Sequence, residues 1–351
     1  MDTFENKNIL VVGGAGFVGS NLVLKLLESN PKSILIIDNL LSSEKENVPH
    51  HEAVTFIHGS ITHDSILQQI PENLDYVFHL STYHGNQSSI ANPLADHENN
   101  TYTTLKLYHH LRTQENLKKV VYSSAGCVVA EKTFDTAKAT TENTMPSLFL
   151  DSPYQISKLI GELYSNYYYQ HHGLPVVKAR FQNVYGPREI LGAGQWRGTS
   201  HTIWRNVIPS FIYRGLKKMP LTIDNGGIAT RDFIYAEDIA AGLMACALRG
   251  KPGENYNLAS GEETCIKDLA ELINELTNNP APLELKPKRE WDNSGKRYGS
   301  TDKAFKEIGF KANHSLKEGL EKTIHWTEQQ MNLIERCIHQ HREHMASLEL
   351  A

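Results

Sequence analysis

Short apolar runs, each closed by glycine, serine or a charged residue, alternate along the chain with longer stretches in which apolar residues recur every three or four positions. The runs NILVV (8–12), SILIID (33–38), VTFIHG (54–59), LDYVFHLS (74–81), KKVVYSSA (118–125) and LPVVKARF (174–181) predict six strands. Helical spacing predicts helices over SNLVLKLLES (20–29) and near 62–70, 96–114 and 153–171. Continuous rather than alternating apolar strands, separated by helices, imply an α/β, doubly wound parallel sheet covered on both faces. Beyond residue 185 the pattern loosens into GPREILGAGQWRG, then a helix over 203–218. DFIYAEDIAAGLMACALRG (232–250) and NYNLAS (255–260) read as a return to the sheet, and helices near 266–277 and 316–345 as a smaller C-terminal α/β lobe. The expected division is 1–185 with 230–260 for the sheet domain, and 186–229 with 261–351 for the second lobe.

Composition narrows the partners. The chain has 351 residues, 40% hydrophobic and 21% charged, with a net charge of -5, so nothing electrostatic points to nucleic acid or an anionic membrane. Its four cysteines, Cys127, Cys246, Cys265 and Cys337, are far apart and suggest neither a disulfide framework nor a zinc site. The seventeen histidines carry no metal-ligand spacing, so no metal is expected. A polar, acidic start, MDTFENKN, and the lack of a membrane-length apolar run give the expectation of a cytoplasmic protein.

VVGGAGFVGSN follows the first strand and opens the first helix. Gly13, Gly16 and Gly19 allow a tight turn, close approach of backbone amides to a pyrophosphate and close helix-to-strand packing, and the helix N-terminus favours the anion. Asp38, at the end of the second strand, stands where a carboxylate meets a ribose 2′-hydroxyl in a Rossmann-type dinucleotide site. That carboxylate would repel a 2′-phosphate, and NLLSS after it brings no arginine, so the expected cofactor is NAD rather than NADP.

Tyr-x-x-x-Lys occurs three times, as Tyr102/Lys106, Tyr154/Lys158 and Tyr213/Lys217. Only Tyr154/Lys158 follows a strand whose end, SSAG, offers a serine at the sheet edge where ligands lie. Residues i and i+4 share a helix face. A phenol acting as base near neutrality needs its pKa lowered by roughly 3 units, about 4 kcal/mol, by nearby positive charge. Lys158 and an oxidised nicotinamide are the expected sources, with Ser124 holding a substrate hydroxyl against Tyr154.

These motifs, with VFHLS, SPYQISK, RFQNVYGP (180–187) and TRDFIYAEDIA (230–240), resemble the extended short-chain dehydrogenase/reductase family, in its nucleotide-sugar epimerase and dehydratase group, over about residues 8–310. The resemblance implies tightly held NAD, a nucleoside diphosphate sugar between two lobes, transient oxidation of a sugar carbon, and a homodimer built on the helices near 96–114 and 153–171. It implies a catalytic set of Ser124, Tyr154 and Lys158. Cofactor contacts are implied for Gly13, Gly16, Phe17, Val18, Gly19, Asp38, Asn39, Ser60, Ile61, Leu80, Ser81, Asn100, Tyr154 and Lys158. Asn183, Arg188, Arg231 and Arg297 are implied to hold the substrate, guanidinium being suited to a diphosphate.

Departures from the family pattern decide the expected reaction. Where related dehydratases carry an Asp-Glu pair after the catalytic serine, this chain has Ala125 and Gly126, and Ser60 replaces a usual aspartate. Hydride removal and return, a C4 epimerisation through a 4-keto sugar, is the simplest remaining use of such a site. Cys127 keeps a second possibility open, acid-base work in a 3,5-epimerase, decarboxylase or dehydratase, as does a non-enzymatic NAD-binding regulator.

Overall fold

The computed structural model describes residues 3–130, 133–288 and 295–349. Its main sheet contains β1 (Asn8–Val12), β2 (Ser33–Asp38), β3 (Val54–His58), β4 (Tyr76–His79), β5 (Lys119–Ala125) and β6 (Val176–Phe181). In the second part of the chain come β7 (Asn183–Tyr185), β8 (Leu221–Asp224), β9 (Thr230–Arg231), β10 (Phe233–Tyr235), β11 (Asn255–Leu258), β12 (Thr264–Cys265) and β13 (Leu283–Lys286). Seven strands form one parallel sheet in the order β11-β6-β5-β4-β1-β2-β3. The strand order reverses between β1 and β4, and the cleft opens there, at the carboxyl ends of the strands.

Both faces of the sheet are covered, which is why its strands read as unbroken apolar runs. On one face Ile9, Val11, Ile34, Ile36 and Phe78 pack with Leu22 and Leu26 of α1 (Phe17–Leu27) and with Ile239 and Leu243 of the helix Ala236–Arg249. On the other, Leu10, Val12, Val77 and Val120 pack with Leu107, Tyr108 and Leu111 of α2 (Thr103–Leu111) and Tyr168 of α3 (Pro153–His172). The expected helix over 96–114 is a one-turn helix at Pro93–Asp96, a π-helical stretch at His97–Tyr102, and α2.

Beside the main sheet lies a second region in which the described residues form three small strand pairs, β7 with β10, β8 with β13, and β9 with β12. Its core joins Ile208, Phe211 and Ile212 of α4 (Val207–Leu216), Leu269 and Ile273 of the helix Ile266–Leu276, Leu221, Ile223 and Phe233. The helix expected over 316–345 is three helices, Leu316–Gln329, Met331–His339 and Arg342–Glu349. Ile334 and Cys337 of the middle one pack on Ile190 and Leu191.

Candidate active site

The glycine turn is held by its own backbone. Gly13 sits at φ 85° and donates its N–H to the Ile37 carbonyl at 2.8 Å, which pins the turn to the end of β2. At Gly19 a Cβ would lie 2.1 Å from the Gly13 carbonyl oxygen and 2.7 Å from the Gly14 Cα. Helix and turn therefore touch through backbone alone, as dinucleotide sites require. Gly16 is the N-cap of α1 and offers no side chain to its first amides, so that end of the helix faces the cleft ready for an anion.

Asp38 is buried, and burial raises its carboxyl above the usual carboxylate range. Its oxygens accept from Leu40 N at 2.9 Å, Ala15 N at 3.0 Å and Ser43 Oγ at 3.1 Å. The carboxylate thus braces the glycine turn and the loop after β2 while lining the cleft.

The helix bearing the Tyr-Lys pair has a defined start and stop. Ser152 caps α3, Pro153 occupies its first position, and Gly173 ends it at φ 67°. The Lys158 Nζ donates to the Ser123 carbonyl at 2.9 Å, and lies 5.9 Å from the Tyr154 ring centroid. Burial lowers the Lys158 ammonium to about 8 and raises the Tyr154 phenol well above its ordinary value. The two rival pairs are surface features: Lys106 pairs with Asp64 and Lys217 with Glu335.

Ser124, expected in the catalytic set, stands near the end of β5. Although it lines the cleft, its hydroxyl donates to Glu162 Oε1 at 2.6 Å. Glu162 is gripped in turn by Arg180, Nε to Oε1 at 2.8 Å and Nη2 to Oε2 at 2.7 Å, and all three residues are buried. Strand alternation puts Tyr122 and Ser124 on the face of β5 that packs on α3, the helix that carries Tyr154, and Tyr122 Oη reaches the Lys158 carbonyl at 3.4 Å.

The cleft brings together Gly13, Gly16, Phe17, Val18, Gly19, Asp38, Asn39, Ser60, Ile61, Leu80, Ser81, Cys127, Tyr154 and Lys158 with Asn183, Arg188 and Arg297 from the second half of the chain. Cys127 follows β5 directly, and burial pushes its thiol up. Two expected residues do not line the cleft. Asn100 is a strut behind it, its Oδ1 accepting from Tyr83 N at 2.7 Å and its Nδ2 donating to Asp96 at 2.7 Å and Ser157 at 3.1 Å. Arg231 lies in the wall, donating to the Thr230 carbonyl at 2.7 Å and the Gly295 carbonyl at 2.6 Å.

Several lining residues carry no sequence signal of their own. His84 and Gln87 follow β4, and Gln182, Glu189, Arg205 and Asn206 come from the segments after β6 and β7. Glu189 is buried, which raises its carboxyl to about 7, and it is bonded to Asn206. Asp232, buried beneath, accepts from Ser260 Oγ at 2.8 Å, Ser260 N at 2.9 Å, and Gly261 N and Gly299 N at 3.1 Å. That carboxylate ties β9, the end of β11 and the Arg297 segment together, a function foreshadowed only by its place in TRDFIYAEDIA.

Comparison with known proteins agrees with this geometry. The sequence model described as NAD dependent epimerase/dehydratase family matches residues 9–259. The chain is similar to the Bordetella bronchiseptica enzyme WbmF, crystallised with NAD+ and UDP: 56% identity, 98% of this chain and 99% of that chain covered, TM-score 0.89. It is similar to a UDP-N-acetylglucosamine 4-epimerase of Methanobrevibacter ruminantium, with 32% identity over 93% of this chain and 99% of that one, TM-score 0.81. A putative UDP-glucose 4-epimerase of Methanocaldococcus jannaschii is 30% identical over 91% of this chain and 97% of its own length. Against the trifunctional plant enzymes of Arabidopsis thaliana that it matches at 27% identity, the chain spans about half their length, 48%.

Proposed function

The chain belongs to the NAD dependent epimerase/dehydratase family, and from that premise we propose that it epimerises a uridine-diphosphate sugar at C4, using NAD. The observation that carries this reading is the Tyr154/Lys158 pair at the mouth of a dinucleotide cleft whose β5 end continues into Ala125 and Gly126, with no acid of the kind dehydration needs. Of the acids that line the cleft, Asp38 is held by Ala15, Leu40 and Ser43, and Glu189 accepts from Asn206 through Oε1 while its Oε2 is buried without a partner among the described residues.

The residues fit the cofactor: uncapped amides of α1 for a pyrophosphate, Asp38 and Asn39 at the ribose end, and Tyr154 with Lys158 at the nicotinamide end. Bound NAD supplies a reversible hydride acceptor and, when oxidised, a positive ring. Tyr154 takes the proton of the C4 hydroxyl and later returns it. Enclosure alone would keep the phenol protonated, so its base form depends on the Lys158 ammonium and on the cationic ring. Lys158 is fixed by the Ser123 carbonyl, so the charge does not swing away. Asn183 and Arg297 line the substrate side, where a guanidinium matches a diphosphate. For the sugar to present both faces to the hydride site it must turn inside the cleft, which a loosely held hexose on a firmly held diphosphate permits.

The outer face of α3 leaves Ile156 46%, Leu163 58% and Tyr167 49% exposed at helical spacing, beside Tyr102 at 42%. A homodimer paired through this face is part of the proposal. The free cysteines fit a reducing compartment, so we place the enzyme in the cytoplasm. The test is NMR of UDP-glucose and UDP-N-acetylglucosamine with the NAD-loaded protein in deuterated water. C4 epimers without deuterium at C3 or C5 are expected, and no product with Tyr154→Phe. Carbon dioxide release, a 4-keto-6-deoxy product, or full activity in Tyr154→Phe would overturn the proposal.

A further inference from the structure

The chemistry above needs an ammonium where burial works against one. Lys158 is 2% exposed, and its Nζ donates to a neutral acceptor, the Ser123 carbonyl at 2.9 Å. A buried ammonium without a counter-charge tends to the neutral amine. The groups that face it are Tyr122, whose ring centroid lies 5.4 Å from Nζ, Tyr154, Cys127, His79, and His84, which meets the Tyr154 ring edge-on at 5.9 Å. Burial holds the Cys127 thiol and both phenols protonated and lowers the two imidazoles to about 3. None of these groups carries a negative charge at neutral pH.

A carboxylate behind the cleft does. Asp96 is 1% exposed and does not line the cleft. It closes the one-turn helix Pro93–Asp96 and leads into the π-helical stretch His97–Tyr102, a local widening of the kind that recurs at functional sites. Asn100 of that stretch donates from Nδ2 to Asp96 Oδ1 at 2.7 Å and to Ser157 Oγ at 3.1 Å, and Ser157 Oγ donates to the Tyr154 carbonyl at 3.0 Å. Thr82 Oγ1 and Tyr83 N fix the Asn100 Oδ1, at 3.0 and 2.7 Å. The carboxylate is thus tied to the turn of α3 that bears Tyr154 and Lys158, and its charge reaches and supports the ammonium. Its other titratable neighbours are Tyr83, His97 and Tyr154. Burial raises the Asp96 carboxyl to about 6. The folded chain therefore binds that proton more tightly than the unfolded one, so ionising Asp96 lowers stability as pH rises past the ordinary carboxylate range. An amide in the same bonds would avoid that cost, and charges kept at a cost cluster at catalytic sites.

We propose that Asp96 is the counter-charge of the catalytic lysine, a positioning residue outside the cleft that keeps Lys158 an ammonium beside Tyr154. The inference rests on the Tyr154/Lys158 chemistry proposed above. Asp96 meets no substrate and transfers no proton. Its charge also disfavours the Tyr154 phenolate, so its use lies on the alkaline side, where the ammonium would otherwise be lost. Removing it should pull the alkaline limb of the rate down in pH without pushing the acid limb up.

Asp96→Asn keeps an acceptor for Asn100 and removes the charge, and Asp96→Glu retains the charge. Asp96→Ser removes it with a smaller side chain, should Asp96→Asn not fold. Each is compared with the parent NAD-loaded protein by kcat against pH with UDP-glucose and UDP-N-acetylglucosamine. Lysine ε-carbon NMR titrations run beside this, the Lys158 signal being assigned by its loss in Lys158→Met. In Asp96→Asn the alkaline limb of kcat and the Lys158 midpoint should both fall by about 1 pH unit, so that kcat on the alkaline side drops about 10-fold. The acid limb should not rise, and Tm near neutral pH should stay at or above that of the parent. Asp96→Glu should recover part of the shift. A Lys158 midpoint unmoved by removal of the charge would overturn the inference, and so would a loss of kcat that is even across pH and accompanied by a lower Tm, which would mark Asp96 as packing. Should neither sugar be turned over, the NMR titration still decides the role of Asp96, while an active Tyr154→Phe sinks the epimerase reading on its own.

Discussion

Replacing Ser124 by alanine separates two accounts of the site. If the hydroxyl met the substrate, its loss would remove an acid-base partner worth roughly 10²–10⁴ in rate. In this structure the hydroxyl instead donates to Glu162 at 2.6 Å, inside a buried network in which Arg180 still holds both carboxylate oxygens. A hydrogen bond to a charged group contributes about 1.5–3 kcal/mol, and the guanidinium bonds that survive put Ser124→Ala near the lower end. At a conversion of about 2 °C per kcal/mol for a chain of this size, Tm should fall by roughly 3 °C. The rate should stay within about tenfold of the parent, since less than 1.4 kcal/mol of the effect reaches the transition state. Scanning calorimetry of the NAD-loaded protein and steady-state kinetics on one preparation provide both numbers. A kcat drop of about 100-fold or more with an unchanged Tm would refute the orientation and return Ser124 to the reacting oxygen.

Two further outcomes follow from the same geometry. In Gly19→Ala the new Cβ meets two backbone atoms, at 2.1 and 2.7 Å, so the turn must open; NAD affinity measured by calorimetry should fall by about 10- to 100-fold, the equivalent of roughly 1–3 kcal/mol of overpacking, and native affinity would mean the turn does not cradle the cofactor. With the Lys158 ammonium lowered to about 8, the charge that supports the phenolate is present below that pH and lost above it, so kcat should decline above pH 8; a profile flat to the range of an exposed lysine would contradict this. The same depressed lysine makes stability rise with pH between 8 and the ordinary lysine value, because there the unfolded chain binds more protons, so unfolding linked to this group does not mimic the decline.

What could be read from the chain was whatever is local. Strands β1, β2, β4, β5 and β6 are buried on both faces, so each contains a run of apolar letters, and the glycine turn and the Tyr154/Lys158 spacing each lie within a dozen residues. Strands β7, β8 and β13 are three or four residues long and part of small pairs, too short for periodicity to register. The bond from Ser124 to Glu162 was not legible, because two adjacent serines stand near the end of β5 and their opposite facing is fixed by what packs on the sheet. That partner, Glu162, is 38 residues away and is itself matched to an arginine inside an apolar strand. His84 sits in STYHGNQ, where nothing repeats, and its neighbour across the cleft is seventy residues further on.

The order of the main sheet has a consequence for synthesis. Strand β6 gains its outer neighbour only when residues 255–258 arrive, since β11 pairs Asn255 with Lys178 through Leu258 with Phe181. Until that part has left the ribosome, the nascent domain carries an open hydrogen-bonding border along β6, a template for pairing with other chains. Closure of that border by a late segment means that the emerging chain is most exposed to misassociation after β6 has emerged and before residues 255–258 follow, and that chaperone engagement should concentrate in that interval.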